Sequence, residues 1–212
     1  MTLQDMRIGI DFDNTIVGYD DAFLAAAKEL NLLAPDFSGD KRAVRDAIRL
    51  LPDGELAWQR LQGFVYGQAL EQAVLFEGVD AFLDRCRDEG HPVFIVSHKT
   101  EHGHFDPKRV PLRKAALSWM ERRGFFGANG HAIPLENVFF EDSRDDKLRR
   151  IVSLACTHFI DDLEEVLSDP NFPPIRRFLF ARSRATPDPL PYPVCTTWQK
   201  IETEVFGERD SL

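Results

Sequence analysis

Short apolar runs alternate with segments of helical period, and this alternation constrains the fold more than any other feature of the chain. The runs lie at 7–11, 93–96, 138–140, 157–160 and 178–181, with a shorter one at 193–196. Runs uninterrupted by polar residues read as strands covered on both faces. Between them Val79, Phe82, Leu83 and Cys86 follow helical spacing. So do Leu112, Ala115, Ala116, Trp119 and Met120, and then Leu148, Ile151, Val152 and Ala155. Strand–helix alternation of this kind predicts an α/β fold, a mostly parallel sheet sandwiched by helices in a Rossmann-like three-layer core.

One stretch departs from the pattern. From about 20 to 73 only helical periods occur, carried by Phe23, Ala26, Ala27 and Leu30, by Ala43, Val44, Ala47, Ile48 and Leu51, and by Leu61, Phe64, Val65 and Ala69. Asp20 suits the cap of the first, and the turn residues at 51–54 separate the other two. This predicts a core of 1–19 and 74–212 with a small helical insertion at 20–73 just after the first strand. The proline-rich tract at 187–193 reads as a rigid surface connection.

With 212 residues the chain can bury a substantial core. Its 26 basic and 35 acidic residues give a net charge of −9, so no general attraction to nucleic acid or anionic membrane is expected. The longest uninterrupted apolar run, at 22–27, is too short for a membrane span, and the first residues lack a secretory pattern. Three widely separated cysteines (Cys86, Cys156, Cys195) suggest buried thiols in a reducing cytoplasm.

The chemistry concentrates at strand ends. Asp11 and Asp13 close the first apolar run, with Asn14 and Thr15 directly after them. Period two in a strand sets the two carboxylates on one face, at the end where open parallel sheets bind ligands. Paired carboxylates repel unless a cation or a shared proton intervenes. An oxygen-only donor set without clustered cysteine favours Mg²⁺ over zinc. The run at 157–160 likewise ends in Asp161 and Asp162, the run at 93–96 ends in Ser97, and Lys147 follows the run at 138–140.

Together these motifs resemble the haloacid dehalogenase superfamily of phosphohydrolases. Residues 11–15 match its first motif, Ser97 the second, Lys147 the third and residues 160–162 the fourth. A helical insertion after the first motif is similar to the smaller cap type of that family. The resemblance implies a Mg²⁺-dependent phosphatase acting through a phospho-aspartate. Asp11 would be the nucleophile and Asp13 the general acid and base. Ser97 and Lys147 would hold the phosphoryl oxygens. Asp11, the Asp13 carbonyl and Asp162, supported by Asp161, would hold the metal. Asp161 and Asp162 compete for the last role, and Lys114 competes with Lys147. The presence of Asp13 favours phosphoryl transfer over dehalogenation.

The expected substrate is a small phosphorylated molecule, bound with the help of Asn14, Thr15, His98 and Lys99. Residues 98–114 carry Lys99, Lys108, Arg109, Arg113 and Lys114 against Glu101 and Asp106, a local reversal of charge that also holds His98, His102 and His104. It reads either as an anion-binding loop or as a solvated one. In the insertion, Trp58, Gln62, Tyr66 and Gln68 read as packing or surface rather than as a lining of the cleft. A nucleotidase, a phosphotransferase and a catalytically silent binding protein of the same fold are the alternative functions.

Overall fold

The computed structural model describes residues 6–103, 108–182 and 190–208. Its strands are Ile8–Ile10 (β1), Val17–Gly18 (β2), Val74–Leu75 (β3), Val93–His98 (β4), Val138–Glu141 (β5), His158–Asp161 (β6), Arg176–Phe180 (β7) and Val194–Cys195 (β8). The helices are Asp20–Glu29 (α1), Lys41–Arg49 (α2), Gly54–Tyr66 (α3), Val79–Asp88 (α4), Leu112–Arg122 (α5), Arg144–Ser153 (α6), Glu164–Leu167 (α7) and Trp198–Phe206 (α8). All six apolar runs are strands of one sheet in the order β5-β4-β1-β6-β7-β8. Every pairing between neighbours in it is parallel. The two-residue strands β2 and β3 pair in a separate ribbon.

The chain divides into two compact units. The first comprises Met1–Ile16, Leu75–His98 and Gly124–Leu212, and the second Val17–Val74 with Lys99–Arg123. In the first unit β1 is central. Ile8, Gly9 and Ile10 stand beside Val93, Phe94 and Ile95 of β4 and beside His158, Phe159 and Ile160 of β6. Connections run to opposite sides of β1, so the carboxyl ends of β1, β4 and β6 meet where the strand order reverses, the crevice in which such sheets bind ligands. Gly9 is required by packing: a Cβ there would lie 2.5 Å from the Phe159 ring. Phe94, Val96, Leu148, Ile151, Phe159, Val166, Leu167 and Leu179 belong to a buried cluster of this unit. Cys86, Cys156 and Cys195 are free and buried. Burial raises each thiol, Cys156 and Cys195 to about 11, which keeps them protonated and unreactive.

The second unit is helical, and its aromatic side chains fill it. Trp58 stacks on Phe23 at 5.0 Å, and Tyr66 meets Tyr19 and Phe23 edge-on. These rings pack, as the sequence suggests for Trp58 and Tyr66. Several local expectations differ, and Leu51 and Ala155 lie two residues beyond the ends of α2 and α6. Tyr19, not Asp20, occupies the cap position of α1, and the Asp20 carboxylate accepts the Lys41 amide instead. The third helix ends at Tyr66, before Gly67, so Ala69 lies outside it. His104 and Pro187–Pro189 fall outside the described residues. Among the described residues no helix is long and apolar enough to cross a membrane.

At the amino end of β6, His158 is 6% exposed and stacks on Phe178 with 2° between ring planes. Its Nδ1 pairs with the Thr157 hydroxyl at 2.8 Å, and its Nε2 is buried without a partner. Burial, together with Arg176 and His91, pushes its pKa down to about 4. The folded protein therefore holds the ring neutral while the unfolded chain takes up a proton below about 6.5. Stability is expected to fall by on the order of 3 kcal/mol as pH drops from about 6.5 to about 4. Urea midpoints at pH 7, 5.5 and 4.5 check this. His158→Leu should flatten the decline, and parallel declines in both proteins would assign the effect elsewhere.

Candidate active site

Asp11 follows β1 directly and still pairs with the sheet, its amide donating to the Ile160 carbonyl at 2.9 Å. Its side chain is buried. Lys147, on the first turn of α6, is 1% exposed and reaches back to β1 and β6. Its ammonium donates to Asp11 Oδ1 and to Asp161 Oδ2, each at 2.7 Å. Ser143 caps α6 by accepting the Asp146 amide, which fixes the turn from which Lys147 projects.

The two acids at the end of β6 differ in their bonding. Asp161 is fully buried; Lys147 binds one of its oxygens, and the other accepts the Leu163 amide at 2.9 Å. Asp162 is half-buried, and its Oδ1 lies 3.5 Å from the Thr15 hydroxyl, which is 3.4 Å from Asp11 Oδ2. Asp11, Asp161 and Asp162 thus offer oxygens all within 4.8 Å of one another. Hard oxygen donors grouped in this way could hold a divalent metal ion.

The electrostatics agree with that fit. Burial pushes the Asp11 carboxyl up to about 7; Lys147 opposes this, and Asp161 and Asp13 add to it. One ammonium therefore does not compensate the buried carboxylate, and a further cation would. Burial alone would depress the Lys147 ammonium, but Asp11 and Asp161 outweigh it and hold its pKa above the ordinary lysine range.

The remaining residues singled out by the sequence divide between the two units. Ser97, at the end of β4, is buried and its hydroxyl has no partner. Asp13 and Asn14 are half-buried in the turn after β1, where Asn14 takes a left-handed conformation at φ 60°. His98 is exposed and its Nε2 contacts the Asp142 carbonyl at 3.1 Å rather than the carboxylate group. Lys99 is buried in the helical unit, its amine 5.0 Å from the centre of the Tyr66 ring. Lys114 is exposed on α5, so Lys147 is the lysine that joins the carboxylates. Sequence reasoning did not single out Trp198, whose indole Nε1 donates to the Thr15 carbonyl at 3.0 Å.

No family model and no curated protein matches the sequence. Solved structures do match. A haloacid dehalogenase-superfamily hydrolase from Ehrlichia chaffeensis is 12% identical with a TM-score of 0.55, covering 97% of this chain and 98% of its own. A hydrolase of the same family from Deinococcus radiodurans, with bound phosphate and sodium, is 15% identical with a TM-score of 0.52 over 94% of each chain. The protein tyrosine kinase PtkA of Mycobacterium tuberculosis is 14% identical with a TM-score of 0.61, covering 97% of this chain and 100% of its own. These likenesses extend over nearly the whole chain: it has the fold of the haloacid dehalogenase-superfamily hydrolases.

Proposed function

We propose that the protein is a Mg²⁺-dependent phosphatase that hydrolyses a small phosphate monoester through a phospho-aspartate on Asp11. One observation carries this reading: a buried carboxylate at the end of the central strand, held at 2.7 Å by Lys147 and grouped with Asp161 and Asp162. Asp11 and Asp162 are the proposed metal ligands with the Asp13 carbonyl, and Asp161 supports them because both its oxygens are already engaged.

In the proposed reaction Asp11 attacks phosphorus in line, forming the P–O bond to the carboxylate as the ester P–O bond breaks. Asp13 gives its proton to the departing oxygen. It then takes one from the water that attacks the acyl phosphate, which releases phosphate and restores Asp11. Ser97 donates its otherwise unpartnered hydroxyl to a phosphoryl oxygen, and Lys147 supplies positive charge beside it. At ~4 Å and an effective dielectric of ~20, each unit-charge repulsion between carboxylate and phosphate costs ~4 kcal/mol. Bound magnesium supplies the remaining positive charge that this approach requires. Asn14, Thr15, His98 and Lys99 are proposed to bind substrate. The helical segment inserted after the first motif is proposed to act as the cap that selects the leaving group.

Phosphate release from sugar phosphates, nucleoside monophosphates, phosphorylated carboxylic acids and an aryl phosphate tests the reading. Turnover is expected in Mg²⁺, none in EDTA, and recovery on adding excess Mg²⁺. Absence of release from every compound, or release indifferent to EDTA, would overturn it.

A further inference from the structure

The turn that carries Asp11, Asp13 and Thr15 is anchored from the far end of the chain. The Ile16 amide closes the turn onto the Phe12 carbonyl at 3.0 Å, and the Phe76 amide holds the Ile16 carbonyl at 3.0 Å. Between these anchors the Thr15 carbonyl accepts its bond from Trp198, a residue 183 positions later in the sequence. Trp198 is 1% exposed at the start of α8, where Thr197 caps the helix by accepting the Lys200 amide. Its indole packs on Phe82 at 5.1 Å and Phe180 at 5.9 Å. Gly78 lies against it, since a Cβ there would come within 2.9 Å of the Trp198 Cβ. A buried N–H donor thus holds the carbonyl of Thr15, the residue whose hydroxyl lies between Asp11 and Asp162.

The Thr15 hydroxyl contacts are long, 3.4 Å to Asp11 and 3.5 Å to Asp162. One hydroxyl proton cannot serve both carboxylates at once. The hydroxyl lies between the two acids, and its own position depends on where the turn backbone sits. We propose that Trp198 is a positioning residue: it holds Thr15 so that Asp11 and Asp162 are spaced for one divalent cation. This rests on the phosphatase reading of those two acids.

The test compares Trp198→Phe, which keeps an aromatic ring but removes the donor, with Phe82→Leu, which loosens the packing around the indole and leaves the donor in place. Magnesium affinity is measured by calorimetry, and turnover on the best phosphate ester is measured separately. Trp198→Phe is expected to weaken magnesium roughly fivefold or more and to lower kcat about tenfold, with KM within about twofold. Phe82→Leu should lose comparable thermal stability yet keep both values. In a Thr15→Val background the Trp198→Phe effect on magnesium should largely vanish, because the two act through one path. In ¹⁵N-labelled wild-type protein the Trp198 indole resonance should shift with the same magnesium midpoint as calorimetry. That readout stands even where the phenylalanine variant does not fold.

Equal magnesium affinity in Trp198→Phe and wild type would overturn the inference, as would equal losses in both ring variants or an indole signal unmoved at saturating magnesium. A wild-type protein with no magnesium affinity would overturn the phosphatase reading and this inference with it. Intact wild-type binding and turnover with an unaffected Trp198→Phe would overturn the inference alone.

Discussion

Asp11→Asn is expected to lower phosphate release at least about a thousandfold while leaving the fold intact. The amide cannot form the phospho-enzyme, and no neighbouring group has the same position at the end of β1. The thermal midpoint should stay within a few degrees, because two effects oppose each other. Lys147 loses one of its two carboxylate partners, but the crowding of Asp11 against Asp161 and Asp13 also disappears. A radiolabelled substrate quenched in acid should label wild-type protein and not the variant. Retained turnover in Asp11→Asn would remove this residue from the nucleophile role.

Lys147→Met should have the largest effect on stability. The ammonium is 1% exposed and sits 2.7 Å from two buried carboxylates, so its removal leaves both uncompensated. Breaking a buried pair by removing one partner typically costs about 3–5 kcal/mol. Asp11 already holds its proton up to about 7, chiefly through burial, and without Lys147 its pKa rises further. A carboxyl whose folded pKa lies above its unfolded value favours the fold at low pH and loses that contribution as pH rises. Urea titrations should therefore show the deficit of Lys147→Met shrinking as pH falls from about 8 toward 6. Adding Asp161→Asn should restore part of the lost stability. A variant as stable as wild type, with no change in its pH slope, would show that the ammonium does not compensate these acids.

The sheet was legible because its strands are buried on both faces and so read as unbroken apolar runs. Their ends differ from expectation by a residue or two: β4 runs on to His98, and β7 begins at Arg176, where the apolar pattern has not yet started. The ribbon strands β2 and β3 have two residues each, too few for any period. Helix α8 is hard to read in the sequence, since nine residues bearing buried Trp198, Ile201 and Val205 give a weak pattern after a proline-rich tract.

The carboxylates, Ser97 and Lys147 were legible for a different reason. Acids and a hydroxyl after apolar runs are each common in turns, but Asp11 with Asp13, Ser97, Lys147, and Asp161 with Asp162 occur in the order and spacing of the four motifs of the family that the sequence resembles. Which oxygen of which acid is engaged was not legible. The Leu163 amide and the Lys147 ammonium together occupy Asp161 and leave Asp162 beside Thr15. The contact of the His98 ring with the Asp142 carbonyl was likewise not legible. The bond from Trp198 to Thr15 carries no sequence signal at all, because it depends on tertiary packing between opposite ends of the chain.

A crystal structure with magnesium and beryllium fluoride tests the central claim most directly. The account predicts the beryllium group on an Asp11 oxygen, with one ion about 2.1 Å from oxygens of both Asp11 and Asp162. A beryllium group on Asp13, or a magnesium ion that Asp11 and Asp162 do not share, would contradict it.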